Sequence, residues 1–185
     1  MDFKEFGMNK KNLLIAIIII MSFILCGFYI RVLKTHKMNS RLDAICLNPI
    51  LQKQDVELAA QLLRDGANPN YNSYPSFPLL MKVLQWNNIK SDSNAKSLFK
   101  LLLEHGADPN ISDEDKYYPL GMVPGDLGAE QLLIKYGDQV STPQHGGILN
   151  AYENALNNYK THKNGSSEEE VLLLNNALMN ENPQK

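Results

Sequence analysis

The chain has 185 residues, enough for one domain of ordinary size and an added segment but not for two large cores. Its formal charge of −2 conceals a division: residues 1–41 carry seven Lys/Arg against two Asp/Glu, whereas residues 42–185 carry eleven against eighteen. An acidic folded part repels phosphate backbones, which argues against a nucleic-acid partner, and Cys26 and Cys46 lie in such different surroundings that no bridge is expected.

Residues 1–12 form a short basic tail with Lys4, Lys10 and Lys11. The run Leu13–Ile30 then has no charge in 18 residues. As a helix rising ~1.5 Å per residue it spans about 27 Å, close to the hydrocarbon thickness of a bilayer. Tyr29 can sit at the interface, with Arg31 and Lys34 beyond it. A cleaved signal peptide has a shorter apolar region and small residues at the cut, and a lipoprotein signal would need a small residue where Leu25 precedes Cys26. The expectation is therefore an uncleaved transmembrane helix over residues 13–33, followed by a basic juxtamembrane linker over residues 34–39. Lys10 and Lys11 precede the span and Arg31, Lys34, Lys37 and Arg41 follow it, so the flanking charges do not fix the orientation. The signal-like start Met8-Asn9-Lys10-Lys11 tips the balance towards an exported domain.

Residues 40–180 read as the folded domain, with residues 181–185 as a frayed tail. Ser40–Asn48, with Leu42, Ile45 and Cys46 on one face and Pro49 behind it, is expected as a first short helix. The chain then repeats itself: LLRDGANPN at 62–70, LLLEHGADPN at 101–110 and the weaker LLIKYGDQVS at 132–141. Aligned on Gly66, Gly106 and Gly137, apolar residues recur four positions earlier (Leu62, Leu102, Leu133), three earlier (Leu63, Leu103, Ile134) and eight earlier (Leu58, Leu98, Ala129). Those spacings keep one helix face apolar. The glycine supplies a left-handed stop, and Pro69 and Pro109 prevent continuation. Ile148–Lys160 and Val171–Met179 carry helical periodicity, the second behind a Ser167/Glu170 capping-box pattern, with residues 162–166 as a loop between them.

These units resemble the ankyrin repeat. The second-helix ending is matched at Leu62–Asn70 and Leu101–Asn110, and the helix-start motif survives as Phe77-Pro78-Leu79 and Tyr118-Pro119-Leu120. Thr142-Pro143-Gln144-His145 falls too close behind Gly137 to serve as that start. Glycine spacings of 40 and 31 residues, against about 33 in the family, imply an insertion within Gln85–Ser97. The resemblance covers about residues 38–180. It implies an all-α chain: an N-terminal transmembrane helix followed by a short ankyrin-repeat solenoid of about three repeats, closed by a helical C-terminal cap.

The histidines His36, His105, His145 and His162 have no metal-ligand spacing with one another or with either cysteine. Asp113-Glu114-Asp115 lacks the rest of a calcium loop, and Glu168-Glu169-Glu170 suits a helix N-terminus. With no phosphate loop, nucleophile elbow or triad, no enzyme activity, cofactor, metal or small-molecule substrate is expected.

The resemblance instead implies binding of another protein along the concave face formed by fingers and first helices. Candidate contacts are Tyr71, Asn72 and Tyr74 on the first finger and Ile111, Asp113, Glu114, Asp115 and Tyr117 on the second. Trp86 is either a core plug or an exposed anchor, and Tyr118 is expected to be structural. The partners are then a protein and, through the anchor, a lipid bilayer. Small anchored ankyrin proteins of bacteria resemble this arrangement, which suggests an immunity-type inhibitor of a toxic effector in the inner, cytoplasmic membrane, with a periplasmic repeat domain. The alternative is a membrane-tethered scaffold for a resident protein. The anchor reading has a direct test. The full chain should stay with membranes through carbonate washing at its unprocessed size; release by carbonate, or a mature N-terminus beyond residue 25, would refute it.

Overall fold

A computed structural model describes residues 10–73, 77–87, 89–137, 148–161 and 168–181. Among these residues the regular structure is entirely helical: α1 (Lys10–Cys46), α2 (Lys53–Arg64), α3 (Leu79–Trp86), α4 (Ser93–Glu104), α5 (Leu127–Lys135), α6 (Ile148–Thr161) and α7 (Glu168–Glu181). A 3₁₀ turn, Pro119–Met122, precedes α5. The chain divides into two compact units at Met38/Asn39.

The first unit contains one helix long and apolar enough to cross a membrane. None of its apolar window is buried by protein, and Leu14, Ile18, Ile20, Phe23, Leu25 and Phe28 are all exposed. The apolar run therefore lacks the cover that the core helix of a soluble domain would have. Ser40–Asn48 was expected as a separate helix, but its residues up to Cys46 are the end of α1. The residues expected as a linker, 34–39, are also helical. The reason lies in the sequence: between Gly27 and Pro49 there is neither glycine nor proline, so nothing ends the helix.

The second unit starts at Asn39 and is a stack of helix pairs. Leu42, Ile45 and Cys46 at the end of α1 are buried, and this end meets α3 through the Asp43–Lys82 ion pair, while α2 packs against α4. The pair α3–α4 follows, then the 3₁₀ turn with α5, then α6–α7. The outer helices touch in the order α2, α4, α5, α7, and the 3₁₀ turn touches both α3 and α6. The third inner element stops after one turn because Pro124 and Gly125 follow Val123 at once. The glycine columns form the core: Leu62, Leu63, Leu98, Leu102, Leu103, Ala129 and Leu133 are buried, joined by Phe99, Leu79, Leu80 and Leu120. Leu58 and Ile134, at the same columns, are half-buried. Each buried leucine contributes roughly 1.5–3 kcal/mol by leaving water.

The helix ends are closed by the expected chemistry. Gly66 and Gly106 stand at φ +99° and +88°, and the amides of Ala67 and Ala107 donate to the carbonyls of Leu62 and Leu102, each at 2.9 Å. This is a Schellman closure, made twice. Asp92 caps α4 by accepting from Asn94 N at 2.8 Å, and Asp126 caps α5 by accepting from Ala129 N at 3.2 Å. α7 ends at Glu181, the first residue of the stretch expected to fray, and residues 182–185 lie outside the described residues. Ser167, Thr142–His145 and His162 lie outside the described residues.

Adjacent repeats are tied through asparagine side chains. Asn70 Oδ1 accepts from Asp108 N at 2.8 Å, and its Nδ2 donates to Gly106 O at 2.9 Å. Asn110 Nδ2 repeats the second bond on Gly137 O at 2.8 Å. Asn39, at the start of the second unit, makes the first bond by accepting from Asn68 N at 2.8 Å. Two substitutions test the packing and the tie separately. Leu102→Asp places an unpaired charge in the core and should lower stability by about 3–5 kcal/mol. Asn70→Ala leaves backbone groups of the next finger without partners, and a loss of about 1–3 kcal/mol is expected. Urea melts that superimpose on wild type would contradict the repeat alignment for the first variant and the tie for the second.

Candidate partner-binding site

The first finger leaves Gly66 and is shaped by its own asparagines. Asn68 Oδ1 accepts from Asn70 N at 2.9 Å, and Tyr71 N donates to Asn68 O at 3.1 Å. Asn72 Oδ1 accepts from Phe77 N at 3.0 Å, closing the finger across residues 74–76. Asn72 thus holds the finger together while its residue stays exposed, and Tyr71 is half-buried. Tyr74 lies outside the described residues. Beside this finger sits a network that sequence reasoning missed. Lys82 on α3 forms a buried ion pair with Asp43 near the end of α1, and Ser73 Oγ donates to Asp43 Oδ2 at 2.6 Å while accepting from Lys82 Nζ at 3.1 Å. The one available signal was a lone lysine within Leu79-Leu80-Met81-Lys82-Val83-Leu84.

The second finger keeps the same register, with Ile111 N donating to Asp108 O at 3.3 Å as Tyr71 N does to Asn68 O. Its tip is a tight turn. Asp113 N donates to Tyr117 O at 3.2 Å, and the Asp113 carboxylate accepts from Tyr117 N at 2.8 Å. Lys116 takes a left-handed φ of +66° to complete it. Asp113 is therefore half-buried and committed to the turn, and Ile111 is half-buried beneath it. Glu114, Asp115, Lys116 and Tyr117 are exposed, Tyr117 by 50%. Tyr118 is half-buried at the start of the 3₁₀ turn.

Trp86 ends α3 and is 52% exposed, so it is not a core plug. The first finger enters α3 at its other end, roughly 10 Å away along the helix axis. The first finger and Trp86 are accordingly two separate surface features. The residues from Asn87 to Asp92, in the region expected to hold the insertion, connect α3 to α4. Asn87 and Ile89 within this connection are buried, and Lys90 Nζ donates to Pro124 O at 2.7 Å.

Chemically, these surfaces present carboxylates, a phenol and an indole for recognition. Cys46 is a buried free thiol, and Lys82 is held by Asp43. Among the described residues, no group of three His, Cys, Asp or Glu side chains is placed to hold a metal ion. The division of labour at the finger tip is measurable. Asp113→Ala removes the bond that closes the turn and should cost about 0.5–1.5 kcal/mol. Glu114→Ala and Asp115→Ala should stay within about 0.5 kcal/mol of wild type. Equal losses for all three in chemical melts would show that Asp113 has no special role.

No protein-family model matches the chain, and no solved structure matches it. The chain is similar to an ankyrin repeat protein of fowlpox virus, with 30% identity over 154 residues, which is 82% of this chain. It spans only 18% of that relative's length. Helix pairs, left-handed glycine stops, asparagine ties between neighbours and this likeness together make the unit from Asn39 onward an ankyrin-repeat stack.

Proposed function

We propose that the chain is a membrane-anchored protein-binding module whose second finger recognises a basic surface on another protein. The observation that carries this reading is the tip from Asp113 to Tyr117. Glu114, Asp115 and Tyr117 project from a turn closed by three hydrogen bonds around Asp113, on a domain with an excess of seven acids. A pre-formed tip loses little freedom on binding, and its charge steers a basic partner towards it. The likeness to an ankyrin repeat protein supports a role in protein interaction rather than catalysis. The apolar stretch of α1 supports an anchor in a bilayer, for which we propose the inner membrane of a bacterium with the stack on the periplasmic side.

Of two uses for such a module, blocking a toxic effector suits it better than tethering a resident protein, because one rigid acidic tip is enough to cover a single basic site. An immunity-type inhibitor would form a saturable complex and protect cells that express it, whereas a scaffold would leave its partner active. The test starts with the partner captured from detergent-solubilised membranes. Glu114→Lys with Asp115→Lys should slow its association by at least about tenfold at low salt, with the difference shrinking as salt rises. Tyr117→Ala should act mainly on dissociation. A partner bound equally well by both variants would move the site to Trp86 and the α3–α4 connection. Protection of cells lost in the double lysine variant, at unchanged protein level, would support the inhibitor; a partner that stays active in the complex would support the scaffold.

A further inference from the structure

The junction between α5 and α7 is built around one backbone amide. The connection Val123–Asp126 turns at Gly125, whose φ is +74°. Its N–H donates at 3.0 Å to Glu130 Oε1 on α5 and at 3.0 Å to Glu170 Oε1 on α7. Both acids are almost fully buried, with Glu130 1% and Glu170 2% exposed. One amide cannot balance two carboxylates. Glu130 Oε2 has no hydrogen-bonded donor, and among the described residues no cation forms an ion pair with Glu130. Both Oε1 atoms lie 3.0 Å from this one N–H, so the two buried carboxyl groups face each other across it. Two carboxylates can only accept, so a direct bond between them requires a proton on one.

The surrounding charges do not remove the need. Asp126, buried at the start of α5, adds a third negative group, and its Oδ1 is held by Ala129 N and by Lys96 Nζ at 3.4 Å from α4. Lys90, exposed in the α3–α4 connection, is bonded to Pro124 O. On α7 itself Glu168 and Glu169 are exposed, as are Glu153 and Lys160 on α6. No three of these acids are placed to hold a metal ion in the proton's stead.

We propose that Glu130 and Glu170 form a proton-operated latch: a single shared proton fastens α7 to the repeat stack, and its loss loosens α7 from α5. Burial first, and then the charge of Glu170, push the Glu130 carboxyl up from 4.5 to about 8, against the opposing pull of the Gly125 N–H. A carboxyl whose folded value is raised gives stability that is complete below its unfolded value. That stability drains away as pH rises from about 4.5 and is gone above about 8. The latch is thus closed in acid, weakens through neutral pH and is open in mild alkali.

Hydrogen exchange on the full chain in detergent micelles, corrected for the intrinsic effect of pH on exchange, reads the latch directly. Between about pH 6 and about pH 9, opening of residues 168–181 should rise by roughly tenfold to a hundredfold relative to α2. Glu170→Gln and Glu130→Gln each replace the shared proton with a permanent amide donor, and either should reduce that rise to below about threefold. A wild-type rise in residues 168–181 no larger than that in residues 53–64 would overturn the latch, and this comparison stands even if neither variant folds. The same rise in wild type and in both folded variants would also overturn it.

Discussion

The first finger is fixed to the second by an asparagine whose amide serves two backbone groups at once. Asn70 accepts from the amide two residues beyond the next glycine and donates to that glycine's carbonyl, so one planar group bridges both sides of the finger base. An aspartate would lose the donor and an alanine would lose both bonds, leaving polar backbone groups without partners at a junction between repeats. Because both bonds run to fixed backbone atoms, the tie sets the register between fingers as well as holding them. It starts at Asn39, which supplies the first acceptor from the end of α1.

The two ends of the stack bury charge in opposite ways. At the first junction, Asp43 and Lys82 neutralise one another and Ser73 satisfies both, so the pair needs nothing from the solvent. Such a pair gives little net stability over apolar packing, but removing either partner strands the other. At the last junction Asp126, Glu130 and Glu170 gather, the two glutamates sharing the Gly125 amide and Asp126 held by Lys96. Charge balance is internal at one end and depends on a proton at the other.

The helical skeleton was legible because it rests on local chemistry. The columns at Leu62/Leu102/Leu133 and the glycines behind them declare amphipathic helices and left-handed stops without reference to the rest of the chain. The features that escaped are long-range or depend on an absence. Asn70 and Asn110 carry no local mark of their role, since nothing nearby in sequence shows that the next repeat's amide or glycine carbonyl lies within reach. Glu170 read as a helix-start acid because its partner is 40 residues earlier in the chain. The continuity of α1 was hidden by its change from apolar to basic, which is a change of side chains and not a change of backbone. At the second finger, the three acids looked equivalent until the backbone turn committed Asp113 to Tyr117 N.

That commitment bears on how such a finger can recognise anything. A flexible acidic loop would attract basic partners with little discrimination and would lose its freedom on every encounter. Here Asp113 is consumed in closing the turn, and Lys116 takes an unfavourable left-handed backbone to keep it closed, at a cost of about 1–2 kcal/mol. What remains outside is two carboxylates, one ammonium and one phenol at fixed sequence positions on a fixed turn. Mixed charge beside an aromatic ring demands a complementary pattern and not merely a basic one, because a uniformly basic surface would meet Lys116 head on. The finger base is in turn set by Asn70 on Gly106 O and Asp108 N. Discrimination at the proposed site would therefore rest on the same asparagine tie that orders the stack.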